Sequence, residues 1–223
     1  MIKGKQSWDF LARYYEKLWV QKHSLKPTRQ LIRREIAKLA DSDPHLLRGG
    51  KLLDMGCGTG QLLQELAEAY PPSRLELTGI DASPEMIRQA KAKQLSGVKF
   101  LAGDVHHLPF PDHTFEIITC CHSFPYYHNQ SLALQELARI IKPKGHLLLI
   151  QAVENSFYDK IVMSMVKCTT GSANYLSSSQ ISKELKENGF TPLEEERLKT
   201  VFYFPSIVYT ISTPGAEHEN SLR

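Results

Sequence analysis

At 223 residues, 42% hydrophobic and with a formal charge of +3, the chain can bury one sizeable core and is expected to fold as a single domain. The charge argues against a nucleic-acid partner, although residues 1–50 carry eleven Lys/Arg against five Asp/Glu, an excess read as a solvated face. The longest apolar runs, such as His146 to Ile150, are strand-sized, MIKGKQSWDF lacks the apolar stretch of a signal peptide, and Cys57, Cys120, Cys121 and Cys168 spell neither a disulfide framework nor a metal site; a cytoplasmic protein without a membrane span is expected.

From Ser7 to about Ala40 the apolar positions recur at threes and fours, with Trp8, Leu11, Tyr15, Leu18 and Trp19 in one set and Leu31, Ile36 and Leu39 in another. Pro27 is expected to divide two helices. The first is aromatic on one side and basic on the other, which suits either a cap over a pocket or plain packing. Asp41 to Gly50 reads as a loop into the first strand.

Strand and helix patterns then alternate, which predicts a parallel sheet with helices on both faces. Strands are expected at Lys51 to Met55, Leu75 to Ile80, Val98 to Ala102, Phe115 to Cys120 and His146 to Gln151. Helices fill the intervals: Gly60 to Tyr70 stopped by Pro71-Pro72, Ser83 (N-cap) and Pro84 onward to about Gln94, and Gln130 to Ile141 ended by Pro143 ahead of a KPKG turn. Helices at Ser156 to Lys167 and Ser179 to Asn188 follow, and two late runs, Pro192 to Leu198 and Ser206 to Ser212, are close enough to pair antiparallel. Residues 1–45 form a helical cap in this reading, 51–151 a cofactor-binding core, 152–213 a substrate-side insert with a C-terminal hairpin, and 214–223 a polar tail. Right-handed crossovers gather the loops that leave the strand C-termini at one sheet edge, where ligands bind in such folds.

The chemistry concentrates at that edge. In KLLDMGCGTG the first strand runs directly into Gly56, Gly58 and Gly60, which let backbone approach a ligand, and then into the N-terminus of a helix. Asp54, Asp81 and Asp104 end three successive strands. Asp81, about 21 residues beyond the loop, stands where a carboxylate accepts both hydroxyls of a ribose. Asp104, beside the N–H of Val105, can accept from an adenine amino group. Dehydrogenases place adenosine similarly, but their G-x-G-x-x-G spacing differs from the G-x-G-x-G found here, which disfavours NAD.

LLDMGCGTG, GIDASPEMIRQAKAK, VKFLAGDVHHLPFPDHTFEIIT and IIKPKGHLLLI together resemble the ordered motifs of class I S-adenosylmethionine-dependent methyltransferases, in the group that includes the ubiquinone/menaquinone-biosynthesis enzymes. The resemblance covers roughly Lys51 to Gln151; KPKG stands for the commoner KPGG, and Glu116 for an Asp. It implies a Rossmann-like, seven-stranded, mostly parallel sheet of order 3-2-1-4-5-7-6 with strand seven antiparallel, in agreement with the late hairpin. It further implies that Gly56, Gly58, Gly60 and the backbone of Cys57 cradle the methionine moiety of S-adenosylmethionine, with Asp54 organising its amino group. Asp81 would take the ribose, Ala82 and Met86 would flank the adenine, Asp104 and Val105 would read its edge, and the backbone near Cys120 and Cys121 would line the amino-acid end.

The implied reaction is an in-line displacement on the methyl carbon that releases S-adenosylhomocysteine, with the methyl going to a small, partly apolar or aromatic acceptor. CCHSFPYYHN, after the fourth strand, is where the acceptor is expected. His122 and His128 are its candidate bases, because imidazole titrates near pH 6.5, and Phe124, Tyr126 and Tyr127 form a candidate aromatic wall. Tyr14 and Tyr15 are the candidate lid residues. SFPY also loosely resembles the Pro-Pro-aromatic signature of amino-group methyltransferases, with Phe124 in place of a proline. A non-catalytic binding protein of the same fold and a protein or RNA methyltransferase remain alternatives at this stage.

Overall fold

Short, continuously apolar runs build the centre of the molecule. The computed structural model describes residues 5–18, 20–170, 173–198 and 205–215, and in it those runs join in a seven-stranded sheet. Its strands are β1 (Gly50–Met55), β2 (Leu75–Asp81), β3 (Val98–Ala102), β4 (Phe115–Cys121), β5 (Ile141–Ala152), β6 (Phe190–Leu198) and β7 (Ile207–Pro214), in the order β3-β2-β1-β4-β5-β7-β6. Pairing is parallel from β3 through β5, and β7 runs antiparallel to both β5 and β6. The helices are α1 (Lys5–Leu11), α2 (Lys26–Ser42), α3 (Gln61–Ala69), α4 (Pro84–Ala92), α5 (Gln130–Ile140), α6 (Phe157–Thr170) and α7 (Ser178–Glu187).

Both faces of the sheet are covered, so its central strands are apolar at successive positions. In β5, Leu147 and Leu149 point to the face packed by Leu134 and Leu137 of α5 and Leu185 of α7. Leu148 and Ile150 point to the other, against Ile32 and Ile36 of α2, Leu63 and Leu66 of α3, and Ile87 of α4. A fully buried side chain of this kind contributes about 1.5–3 kcal/mol, so the two cores hold the strand ends rigidly in place.

Local signals set most boundaries. Ser83 caps α4 by accepting the Met86 N–H at 3.1 Å, with Pro84 in the first turn. Ser177 caps α7 in a reciprocal box with Gln180.

Two local expectations need correction. Pro27 does not divide two helices: it occupies the first turn of α2, where its missing N–H costs nothing. The chain turns earlier, at Leu18, whose ψ of 139° ends a 3-10 segment, Ala12–Lys17, ahead of a π-helical turn, Gln21–Leu25. KPKG is not a turn before β5 but part of it, and a register shift between the Phe115–Ile141 and Ile117–His146 pairs accommodates Pro143. The tail at 216–223, Trp19 and the Cys168 side chain lie outside the described residues. Among the described residues no helix is long and apolar enough to cross a membrane.

Candidate active site

β1, β2, β3 and β4 all end at one edge, and the loops beyond them enclose a cavity of about 610 Å³. The glycine loop forms its floor. The N–H groups of Gly56 and Cys57 both donate to the Ile80 carbonyl, at 2.8 and 3.0 Å, which staples the loop to β2. Gly56 (φ +66°) lets the segment after β4 come close, since a Cβ there would lie 2.3 Å from that of Ser123. Gly58 (φ +53°) is different: an added Cβ would meet only Tyr15, at 3.7 Å, so its bare backbone faces the cavity. Gly60 is not on the wall; it precedes α3, and a Cβ there would strike the Phe100 ring at 2.7 Å.

Asp81 stands above this floor. One carboxylate oxygen accepts the Gly58 N–H at 2.9 Å and the other the Ser83 N–H at 2.8 Å. Burial pushes its carboxyl up and these two donors oppose the push. Each oxygen keeps lone-pair capacity toward the cavity, which suits a vicinal diol. Beside it, Ala82, Met86, Ile80 and Val105 make an apolar slot with Asp104 at its rim.

Asp54 and Cys57 are buried beneath the floor and do not line the cavity. Asp54 accepts the Thr119 hydroxyl at 2.8 Å, and burial, helped by the Asp81 charge, pushes its carboxyl up to about 7. A carboxyl raised in the folded state contributes stability below its unfolded pKa and loses it as pH rises through the folded value. Asp54→Asn, which removes the buried charge, is therefore expected to lie nearest the parent in thermal unfolding below about pH 4 and to gain on it progressively as pH rises, melting several degrees higher at pH 8; equal melting at pH 8 would contradict a buried charge.

The cap closes the roof through polar tethers. Asp9 accepts the Ser83 hydroxyl at 2.5 Å, Glu16 accepts the Thr59 hydroxyl at 2.7 Å, and Arg29 bonds Glu65 at 2.8 Å. Trp8 and Tyr15 line the cavity, whereas Tyr14 is 57% exposed and lies off the wall. Trp8 packs edge-on against Tyr126 at 5.0 Å, and the Tyr126 hydroxyl bonds that of Tyr175 at 2.8 Å. Tyr126 and Tyr127 are on the wall; Phe124 is fully buried behind Tyr127. Helix α6 turns Met163 toward Tyr175 and leaves Phe157, Ile161 and Met165 exposed.

The segment after β4 places the two histidines differently. Cys121 lines the cavity, while Cys120 is buried with its sulfur 3.1 Å from the Ser123 hydroxyl. His122 takes a left-handed backbone (φ +58°), uncommon outside glycine, and donates its N–H to the Ile150 carbonyl at 2.7 Å. Its Nε2 lies 3.1 Å from the Thr28 hydroxyl, which spends its only hydrogen on the Ser24 carbonyl at 2.7 Å. Thr28 can then only accept, so Nε2 carries the proton and Nδ1 keeps its lone pair. Nδ1 makes no hydrogen bond among the described residues, and burial pulls the imidazole down to about 4. His128 is exposed on the wall beside Asp104, its ring 3.7 Å from that of His106.

Four participants were not singled out from the sequence as site residues: Trp8, Ser123, His106 and Thr28. Trp8 had a signal, since it precedes Tyr15 by two helical turns on one face. Thr28 had none, because its contact with His122 spans 94 residues.

Open glycine backbone, a diol-ready carboxylate and an apolar slot ending at a second carboxylate fit the adenosyl and amino-acid parts of S-adenosylmethionine. The family profile described as "Methyltransferase domain" matches residues 53–149. The demethylmenaquinone methyltransferase of Thermotoga maritima is 32% identical over 162 residues, 63% of this chain and 69% of that protein. The enzyme of the same name from Deinococcus radiodurans is 36% identical over 105 residues, 45% of this chain and 42% of its own. The chain thus spans about two thirds of the first relative's length and under half of the second's. A solved Thermotoga maritima structure, described as a SAM-dependent methyltransferase and possible histamine N-methyltransferase, superposes with a TM-score of 0.71 at 19% identity, over 93% of this chain and 98% of that one, a likeness of fold alone. With the sheet order, the motif region and the Thermotoga maritima relative in agreement, this chain belongs to the class I S-adenosylmethionine-dependent methyltransferases.

Proposed function

We propose that the chain methylates a small hydroxylated aromatic acceptor of the quinol type, with His122 as the base that receives the hydroxyl proton. The observation that carries this reading is the imidazole itself: on the cavity wall, proton fixed at Nε2 by Thr28, lone pair at Nδ1. The names of the curated relatives support a quinone-related acceptor. The ring wall of Trp8, Tyr15, Tyr126 and Tyr127 supports a flat one, because aromatic faces and edges pack rings.

S-adenosylmethionine, when bound, supplies an electrophilic methyl on a sulfonium that is already an activated leaving group. In this reading Asp81 holds its ribose, the Gly56 to Gly58 backbone its amino-acid part, and Asp104 its adenine edge. The chain then has to orient the acceptor and exclude water, and well-oriented reactants gain roughly 7–11 kcal/mol in this way. The aromatic roof performs both tasks. Nδ1 of His122 accepts the acceptor's hydroxyl proton while Nε2–H stays on Thr28, and the phenolate formed alongside stabilises the resulting imidazolium. The low intrinsic pKa leaves the lone pair available throughout the neutral range. His128, set against His106, is read as part of the adenine-side wall and not as a base.

The test is transfer of labelled methyl from S-adenosylmethionine to a short-chain demethylated naphthoquinol, beside the same assay on total protein and total RNA. Label in the quinol alone is expected. Label confined to protein or RNA would reverse the reading.

A further inference from the structure

Asp104 is the site carboxylate least protected from solvent, with its side chain 58% exposed at the rim. Left free, such a side chain exchanges among staggered rotamers, and fixing it on binding costs affinity. Here it is not free. Oδ1 accepts the His106 backbone N–H at 3.0 Å and lies 2.5 Å from His106 Nδ1. Burial pushes the Asp104 carboxyl up, but these two contacts outweigh it and hold it below the ordinary range, so the group is a carboxylate at neutral pH.

His106 is in turn a fixed strut. The imidazole is 3% exposed and its Nε2 accepts the Asn129 N–H at 3.3 Å. A nitrogen that accepts an N–H carries no proton, so Nδ1 holds the hydrogen and donates it to Asp104. Asn129 is immobile because it caps α5, its side chain accepting the Leu132 N–H at 3.0 Å. The chain of contacts therefore runs from the start of α5 through a tautomer-locked imidazole to one oxygen of Asp104. The second oxygen makes no hydrogen bond among the described residues. His128, 3.7 Å from the His106 ring, covers its outer face.

We infer that His106 is a positioning residue that makes Asp104 a preorganised acceptor for the exocyclic amino group of adenine, and so sets discrimination between adenine and ring systems lacking that amine. This rests on the reading that the slot of Ile80, Ala82, Met86 and Val105 takes the adenine of the cofactor. A hydrogen bond to a charged acceptor, replaced in the 6-oxo ring by two acceptors facing each other, separates such ligands by about tenfold or more.

The experiment is titration calorimetry on the full chain with S-adenosylhomocysteine and with S-inosylhomocysteine, in which an oxo group replaces the 6-amine. The parent is expected to prefer the adenine ligand by about tenfold or more. His106→Phe keeps a ring but no donor, and should reduce that preference to about twofold. His106→Asn, whose amide can reach the Nδ1 position, should restore most of it. Asp104→Ala should abolish it. An unchanged preference in His106→Phe would reduce His106 to a packing residue, and so would failure of His106→Asn to exceed His106→Phe. If the phenylalanine variant does not fold, full discrimination in Asp104→Ala still overturns the inference. Failure of the underlying cofactor reading looks different: the parent would bind neither ligand.

Discussion

Asp81→Ala is expected to weaken S-adenosylhomocysteine binding by about 100-fold or more while leaving the sheet intact. Two losses add. The carboxylate provides the unspent lone pairs for the ribose hydroxyls, and hydrogen bonds to a charged group contribute about 1.5–3 kcal/mol each. It also accepts the N–H groups of Gly58 and Ser83, at 2.9 and 2.8 Å, which tie the glycine floor to the start of α4. Without it both donors are orphaned and the loop loses the support that keeps its open backbone in place. Asp81→Asn is expected to fall nearly as far, because its amide N–H₂ must face one of those donors. Calorimetry with S-adenosylhomocysteine reads the effect, with thermal unfolding as the check on the fold. An affinity within threefold of the parent would remove Asp81 from the site.

The same residue marks what a one-dimensional reading can reach. Asp81 was legible because a strand end beside a glycine loop is a local pattern with a fixed spatial meaning. The cap at Ser83-Pro84, the bounds of β3 and the antiparallel pairing of β6 with β7 were legible for the same reason. Pro27 misled because proline breaks a helix interior but is neutral in a first turn, and the phase of a helix is set by what its face packs against. KPKG misled similarly: proline at a register shift is tolerated in a strand, and its neighbours' pairing with β4 decided the outcome.

Within the site the limit is tautomer and depth. The sequence puts His106 two residues from Asp104, a visible Asx-turn spacing, but the direction of its proton depends on Asn129, 23 residues away. Asp54 was expected to contact the ligand because of the resemblance, but the pleat of β1 sends its side chain under the floor, and Cys57, expected to contribute only backbone, also turns its side chain inward from the loop. Tyr14 and Tyr15 are adjacent and read alike, yet only Tyr15 faces inward, since neighbours on a helical turn point about 100° apart and a 3-10 turn separates them further.

His122→Asn is expected to lower kcat with the quinol acceptor by 10²–10⁴-fold, the usual weight of a positioned base, and to leave S-adenosylhomocysteine affinity unchanged. Asparagine is the fold-sparing choice. After glycine it is among the residues most tolerant of the left-handed backbone at φ +58°, although its shorter amide ends near the Nδ1 position and gives up the contact with the Thr28 hydroxyl. What it lacks is a basic lone pair. The pH dependence gives a second, independent readout. Burial depresses the His122 pKa to about 4, so the neutral, competent form predominates above that value and protonation removes it as pH falls. The parent's kcat is therefore expected to be flat from about pH 6 upward and to fall toward pH 4, with no inflection near the unperturbed 6.5. The residual rate of His122→Asn should lack the acid limb that this group produces. A parent profile that breaks near 6.5 would mean that the imidazole is solvated during turnover. A kcat within threefold of the parent would mean that proton removal is left to water and that the roof of Trp8, Tyr15, Tyr126 and Tyr127 supplies the rate through orientation alone.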